Sequence, residues 1–191
     1  MGEWEPVFRK DLNWFGRRLK ERQFRVLDRI SKKYGVRNAV EIGCGSGWLL
    51  RYMIKHGVKA VGIDNEQSVI TKLSADGLPA KLMDANHLDF ADGKFDIAYS
   101  DGVLEHFKDP ARAISEMSKI SRRYVLTMVP YHQSVFGYVM RFWHWAGRFP
   151  TEHIRGRSEW IRLHERAGLR LLESGTLNLG EELWFLFEKG S

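Results

Sequence analysis

Two residue types recur in a spacing that suits ligand chemistry: glycines that open the backbone and carboxylates at the ends of apolar runs. Glu41-Ile42-Gly43-Cys44-Gly45-Ser46-Gly47 is the densest such stretch. Glycines at alternate positions let the main chain take conformations that a Cβ forbids, and they leave room for a ligand against it. A helix opening just behind them would offer unpaired N–H groups and a partial positive charge to a carboxylate or phosphate. Alone, the stretch is equally a tight structural turn. Two further acids strengthen the case for a ligand. Asp64 ends the apolar run Ala60-Val61-Gly62-Ile63 and lies 21 residues after Gly43. That is close to the spacing at which an acid reaches ribose hydroxyls in nucleotide-binding βαβ units. Asp84-Ala85 follows a third short run, Ala80-Lys81-Leu82-Met83.

The elements that must position these residues are legible around them. Asn38-Ala39-Val40 begins a run that reads as a buried strand, and Trp48, Leu49, Leu50, Met53 and Ile54 recur at helical spacing. The glycines therefore sit at a strand-to-helix turn. The helix after Asp64 is expected to use Asn65 as its cap, with Val69, Ile70 and Leu73 inward and Asp76-Gly77 at its end. Pro79 opens the third strand, His87-Leu88-Asp89-Phe90 is a loop near Asp84, and Ala91-Asp92-Gly93-Lys94 is a turn. Three ligand-facing turns after three consecutive strands would converge on one edge of a parallel sheet, where open α/β sheets bind ligands.

Four segments, in order over roughly residues 36–130, resemble the motifs of the class I S-adenosylmethionine-dependent methyltransferases, in the small-molecule group. The family's acid followed by G-x-G-x-G is matched by Glu41 through Gly47. Its ribose-binding acid is matched by Asp64, and its acidic-plus-small pair beside adenine by Asp84-Ala85. Its fourth strand and the sequence after it are matched by Phe95-Asp96-Ile97-Ala98-Tyr99-Ser100 and Val103-Leu104-Glu105-His106. The resemblance implies an α/β fold: a Rossmann-like, seven-stranded, mostly parallel sheet with helices on both faces and an antiparallel last strand. It implies S-adenosylmethionine as cofactor, with Gly43, Gly45 and Gly47 at the methionine portion and Asp64 on the ribose hydroxyls. Asp84 would meet the adenine amino group, the Ala85 backbone the ring, and Ser100 the methyl-transfer region. Glu41, Cys44 and Asn65 complete the expected cofactor-binding set.

At 191 residues the chain suits one full domain and is short for two. A single methyltransferase domain over 1–191 is expected, with a helical extension over 1–35 and an aromatic lid insertion over 131–157. No uninterrupted apolar run approaches the ~20 residues that span a bilayer. Met1-Gly2-Glu3-Trp4-Glu5-Pro6 lacks the basic-then-apolar form of a secretory signal. Cys44 is the single cysteine, which excludes an intrachain disulfide and fits a reducing cytoplasm. Inside the glycine turn it reads as a small packed residue rather than a reactive thiol. The net charge of +6 is too mild to choose among nucleic acid, anionic lipid and an acidic substrate.

In the N-terminal stretch Phe15, Leu19, Val26, Leu27, Ile30 and Tyr34 form a broken apolar stripe against a heavily basic complement. It reads as a helix packed on the sheet, whose basic face could also meet RNA or membrane headgroups. In the resembled family this segment often covers the cofactor, so Trp14 or Phe15 could wall the site. Asp109-Pro110 starts a helix with Ala113, Met117 and Ile120 inward, and Arg123 to Val129 is a strand stopped by Pro130. Between 131 and 157, Tyr131, Phe136, Tyr138, Phe142, Trp143, Trp145 and Phe149 crowd a segment that also holds His132, His144 and His153. It is read as a lid with an apolar substrate pocket beneath it, the alternative being a helical insertion with its own small core. Beyond it, Ser158 is expected to cap a helix ended by Gly168. Leu169 to Glu173 reads as a strand, Asn178 and Gly180 as a turn, and Leu183 to Phe187 as the last strand.

In the resembled family the cofactor carries the activated methyl, so the protein must align the acceptor and exclude water. If the acceptor is a hydroxyl, His106 is the first candidate base, followed by Tyr131, His132 and His153. Some relatives that methylate hydroxyls bind a divalent metal through E-x-x-E-H. Here Gly102 stands where the first glutamate would be, before Glu105-His106, and no metal is expected. The expected partner is a small, partly apolar methyl acceptor. The alternatives are an RNA methyltransferase using the basic helix, although no separate RNA-binding module is visible, and a catalytically silent methyltransferase-like subunit. A nicotinamide dinucleotide fits less well, since G-x-G-x-x-G would need a glycine where Trp48 stands.

Overall fold

The computed structural model describes residues 14–131, 153, 155–180 and 182–190, with side chains from residue 21 onward. The aromatic segment therefore lies almost wholly outside the described residues, as do the side chains of Trp14 and Phe15 and the expected base His132.

Among the described residues the first element is helix α1 (Trp14–Tyr34). Val26, Leu27 and Ile30 recur at helical spacing and are buried, while Arg22, Arg25, Arg29, Lys32 and Lys33 stay exposed. Then come β1 (Asn38–Ile42), α2 (Trp48–Lys55), β2 (Lys59–Asp64), α3 (Gln67–Ala75) and β3 (Ala80–Leu82). β4 (Phe95–Asp101) follows, then a single-turn helix over Leu104–His106, α4 (Ala111–Ile120) and β5 (Ser121–Pro130). The chain closes with α5 (Arg157–Arg166), β6 (Leu169–Leu177), a short turn at Asn178–Gly180 and β7 (Glu182–Lys189).

All seven strands form one sheet in the order β3-β2-β1-β4-β5-β7-β6. The pairs from β3 through β5 are parallel, and β7 runs antiparallel to both β5 and β6. This is the expected α/β architecture. Ala39, Val40 and Ile42 have no exposure at all, as in a parallel strand covered on both faces. One face packs Val40, Ile42, Ile63 and Ala98 with α4 and α5, through Ile114, Met117 and Trp160. The other packs Ala39, Ile97, Tyr99 and Leu126 with α1 and α2, through Leu27, Ile30, Leu50 and Met53. Strand order reverses between β1 and β4, so a crevice opens at their carboxyl ends, the place where open α/β sheets take ligands.

Several boundaries differ from the sequence expectation. Glu66, not Asn65, is the N-cap of α3, and it makes no side-chain cap bond. The Asp64 carboxylate takes the N–H of Glu66 instead, at 3.0 Å. Gly156 caps α5, and Ser158 lies within its first turn. β4 runs one residue beyond Ser100, to Asp101, and β6 extends to Leu177 rather than ending at Glu173. Pro110, not Asp109, is the N-cap of α4, one residue later than expected, although the Asp109 Oδ1 still accepts the N–H of Ala111 at 3.0 Å. Among the described residues, no helix is long and apolar enough to cross a membrane.

Candidate cofactor and methyl-transfer site

A cavity of about 730 Å³ opens at the β1/β4 reversal. The first strand-end turn enters it through Glu41, Gly43, Cys44, Gly45 and Ser46. Gly43 has φ of +68°, which L side chains rarely adopt, and a Cβ there would lie 2.4 Å from Cγ2 of Val103. The absence of a side chain at Gly43 thus lets the post-β4 turn close against the glycine turn. Gly47 differs from its neighbours. It caps α2 with φ of +72°, a Cβ on it would lie 2.7 Å from Cδ2 of Leu73, and it does not line the cavity.

The second turn brings Ile63, Asp64, Asn65 and Glu66. Asp64 is 9% exposed; its Oδ2 accepts the Gly45 N–H at 2.9 Å and its Oδ1 accepts the Glu66 N–H. One carboxylate therefore pins the first turn to the second. About four acceptor positions belong to a carboxylate, so two remain for a ligand. The third turn brings Met83, Asp84, Ala85 and Asn86. Asp84 is exposed, and its Oδ1 takes the Asn86 backbone N–H at 2.8 Å, shaping the loop as an Asx turn.

Glu41 and Cys44 sit deeper. The Tyr99 hydroxyl donates to Glu41 Oε2 at 3.3 Å. Burial first, then the Glu41 charge, raises the Tyr99 phenol well above its usual range, so it remains a donor. Cys44 lies against Gly62, where a Cβ would come within 2.7 Å of its side chain. Burial, then the charges of Glu41 and Asp64, pushes its thiol far up and keeps it protonated and inert.

Across the cavity stand Asp101, Gly102, Val103, His106 and Phe107. Ser100 does not line the cavity. It is 1% exposed and faces the sheet interior, and Asp101 occupies the rim instead because Gly102, with φ of +67°, turns the chain one residue later. Gln23 of α1 donates from Nε2 to Asp101 Oδ1 at 2.9 Å and to Glu182 Oε1 at 2.8 Å. His106 is partly buried, with Nε2 4.0 Å from Oε1 of the buried Glu105. Of the other expected bases, Tyr131 packs on the core cluster, and His153 is seen through its backbone N–H, which donates to the Glu105 carbonyl at 2.7 Å.

The structure thus brings together Glu41, Gly43, Cys44, Gly45, Asp64, Asn65, Asp84, Ala85 and His106, and leaves Gly47 and Ser100 outside the lining. Sequence reasoning missed Trp48, Met83, Asn86, Asp101 and Phe107. Met83 and Asn86 flank a recognised pair and could have been found by adjacency; Asp101 and Phe107 carry no such signal.

Comparison with known proteins bears on the family and the fold. A family profile described as a methyltransferase domain matches residues 15–174. Over 105 residues the chain is 32% identical to an uncharacterized 37.1 kDa protein in transposon TN4556 of Streptomyces fradiae, covering 51% of this chain and 30% of that protein. Over 93 residues it is 29% identical to the ubiquinone biosynthesis O-methyltransferase of Methylococcus capsulatus, covering 45% of this chain and 39% of that enzyme. The chain thus spans well under half the length of these curated relatives. The magnesium protoporphyrin IX methyltransferase of Synechocystis, solved with bound SAH, shares the fold at a TM-score of 0.74 and 14% identity, over 98% of this chain and 93% of that one. With a methyltransferase profile over most of its length, the chain belongs to the class I S-adenosylmethionine-dependent methyltransferases.

Proposed function

We propose that this chain transfers a methyl group from S-adenosylmethionine to a small, partly apolar acceptor that carries no net negative charge. The observation that carries this is the convergence of three strand-end turns on one cavity, with His106 and Phe107 facing them. The residues present fit the donor. Gly43 and Gly45 line the cavity without side chains of their own, which suits the methionine portion, and Asp64 keeps acceptor capacity for two ribose hydroxyls. Asp84 stands ready for the adenine amino group beside the apolar floor of Ile63, Met83 and Ala85.

S-adenosylmethionine, when bound, supplies a methyl group already activated on a sulfonium. The chain's own part is then to hold the acceptor in line and keep water away. Val103 and Phe107 give the wall apolar surface, and the imidazole of His106, which also lines the cavity, would take the proton of a hydroxyl acceptor. Glu41, Asp64, Glu66, Asp84 and Asp101 line the cavity, and no Lys or Arg does so among the described residues. That field disfavours a phosphate or carboxylate acceptor. Part of the basic face of α1 is engaged elsewhere, Arg29 and Lys33 with Glu173 and Lys32 with Asp28, which supports a packing role over RNA recognition.

Calorimetric titration with S-adenosylhomocysteine tests the donor side. Binding is expected in the native chain, and Asp64→Ala should weaken it by roughly 1.5–3 kcal/mol, the range for a hydrogen bond to a charged group. No binding to the native chain overturns the proposal. A methyl-transfer panel of neutral phenols, amines and phosphate esters tests the acceptor side, with turnover confined to the esters as the contrary result.

A further inference from the structure

We propose that Arg155 is a positioning residue for the acceptor side of the cavity, resting on the methyl-transfer role above: it locks the 103–108 turn that presents Val103, His106 and Phe107. Within that turn the His106 N–H donates to the Val103 carbonyl at 3.1 Å and the Phe107 N–H to the Leu104 carbonyl at 3.2 Å. A single helical turn leaves its later carbonyls without internal partners. Here they are met from far along the chain. The His153 N–H takes the Glu105 carbonyl at 2.7 Å. Arg155 Nη2 donates to the Phe107 carbonyl at 3.1 Å and to the Lys108 carbonyl, and Nη1 to the His153 carbonyl at 3.2 Å.

Arg155 is itself 9% exposed. Its guanidinium lies 5.3 Å from the Trp160 ring centroid, with Nε 3.3 Å from a Glu159 carboxylate whose side chain is 49% exposed. A buried cation is costly unless its donors are satisfied. Most of the donors here go to backbone carbonyls rather than to a carboxylate, so the charge is used to hold main chain. The main chain held is the piece that carries the one histidine of the cavity lining among the described residues. The planar fork of arginine can span three carbonyls at once, which the point charge of lysine cannot. Arg155 bonds the 107–108 end of this turn and none of the turns after β1, β2 and β3, while Val103 at the other end lies against Gly43.

The test compares the native full chain with Arg155→Ala and Arg155→Lys by NMR of histidine ring protons, amide hydrogen exchange and S-adenosylhomocysteine calorimetry. In Arg155→Ala the His106 ring resonance should move, while that of His56 keeps its position; Arg155→Lys should fall between. The His153 amide should exchange about tenfold faster while that of Val40 in β1 is unchanged, the mark of local rather than global opening. The S-adenosylhomocysteine Kd should stay within about twofold, because Arg155 bonds the 107–108 end of the turn and not the Val103 end that meets Gly43. A folded Arg155→Ala with an unmoved His106 resonance overturns the proposal, as does acceleration of Val40 together with His153. If Arg155→Ala does not fold, Arg155→Lys decides by the same criteria. Failure of the native chain to bind S-adenosylhomocysteine would defeat the methyl-transfer role alone, since the ring and amide comparisons still decide Arg155.

Discussion

The two rims of the cavity are assembled in different ways. On the donor rim, Asp64 joins Gly45, 19 residues away, and Glu66, two residues away. Each piece lies within or beside its own strand-helix unit. On the facing rim, Gln23 reaches Asp101 across 78 residues and Arg155 reaches Phe107 across 48. Such contacts must outweigh the entropy of closing long loops, and they depend on every element between. The difference teaches where diversity can enter. The Asp64 links of the donor rim are local, although Tyr99 reaches Glu41 across 58 residues, whereas the facing rim is held mainly from distant elements.

The largest effect that could break this contrast is expected at Gly43. Gly43→Ala forces a left-handed conformation on a residue with a Cβ and drives that Cβ into Val103. It should cost about 2–4 kcal/mol, from backbone strain and overpacking together. Chemical denaturation and S-adenosylhomocysteine titration check this. Native-like behaviour in both would mean that the rims can separate without loss.

Next in size is an acid-sensitive point in the core between α5 and β7. His164 stacks on Phe187 with ring centroids 4.2 Å apart and meets the Trp160 carbonyl through Nδ1 at 2.7 Å. Burial pulls its pKa down to about 4. At pH 7 the folded chain keeps it neutral and the unfolded chain is mostly neutral too, so little of its contribution is yet lost. As pH falls below about 6.5 the unfolded chain takes up the proton first, and up to about 3 kcal/mol is lost by pH 4. Urea unfolding of the native chain and of His164→Phe at pH 7 and pH 4.5 should show the acid loss shrinking in the variant. Hydrogen exchange at pH 4.5 should rise in α5, β6 and β7 before β1 and β2, and the reverse order would undo the contrast.

The smallest effect concerns how α1 is held. Lys33, Tyr34 and Arg29 gather on Glu173, whose carboxyl is pulled down to about 2, chiefly by the Lys33 and Tyr34 hydrogen bonds. That contribution is present above the ordinary carboxylate range and lost as pH falls through 2. Because water screens this surface cluster, Glu173→Gln should cost only about 0.5–1 kcal/mol in thermal unfolding, less at high salt. Donor affinity should not change.

Legibility in the sequence follows the same division. Seven strands and their order along the chain were readable because each depends on a short apolar run and the residues that bound it. Asn65 was misread as a helix cap because Asp64 already supplies the acceptor for the next N–H. Ser100 was misread because a two-residue alternation does not reveal where a strand stops; only the turn at Gly102 does. Gln23 and Arg155 left no trace in the sequence reading. Nothing local distinguishes a basic or amide residue on an amphipathic helix or a loop from one that meets a partner dozens of positions away.

β7 has a further consequence for how the protein is made. Residues 182–189 fill the slot between β5 and β6, both of which precede them. During translation the donor rim is therefore complete while the apolar edge of β5, from Tyr124 to Val129, still waits for its neighbour. An unpaired edge of that kind recruits other strands. A nascent chain stalled short of Glu182 should accordingly be held by a chaperone that releases it once Lys189 has left the ribosome.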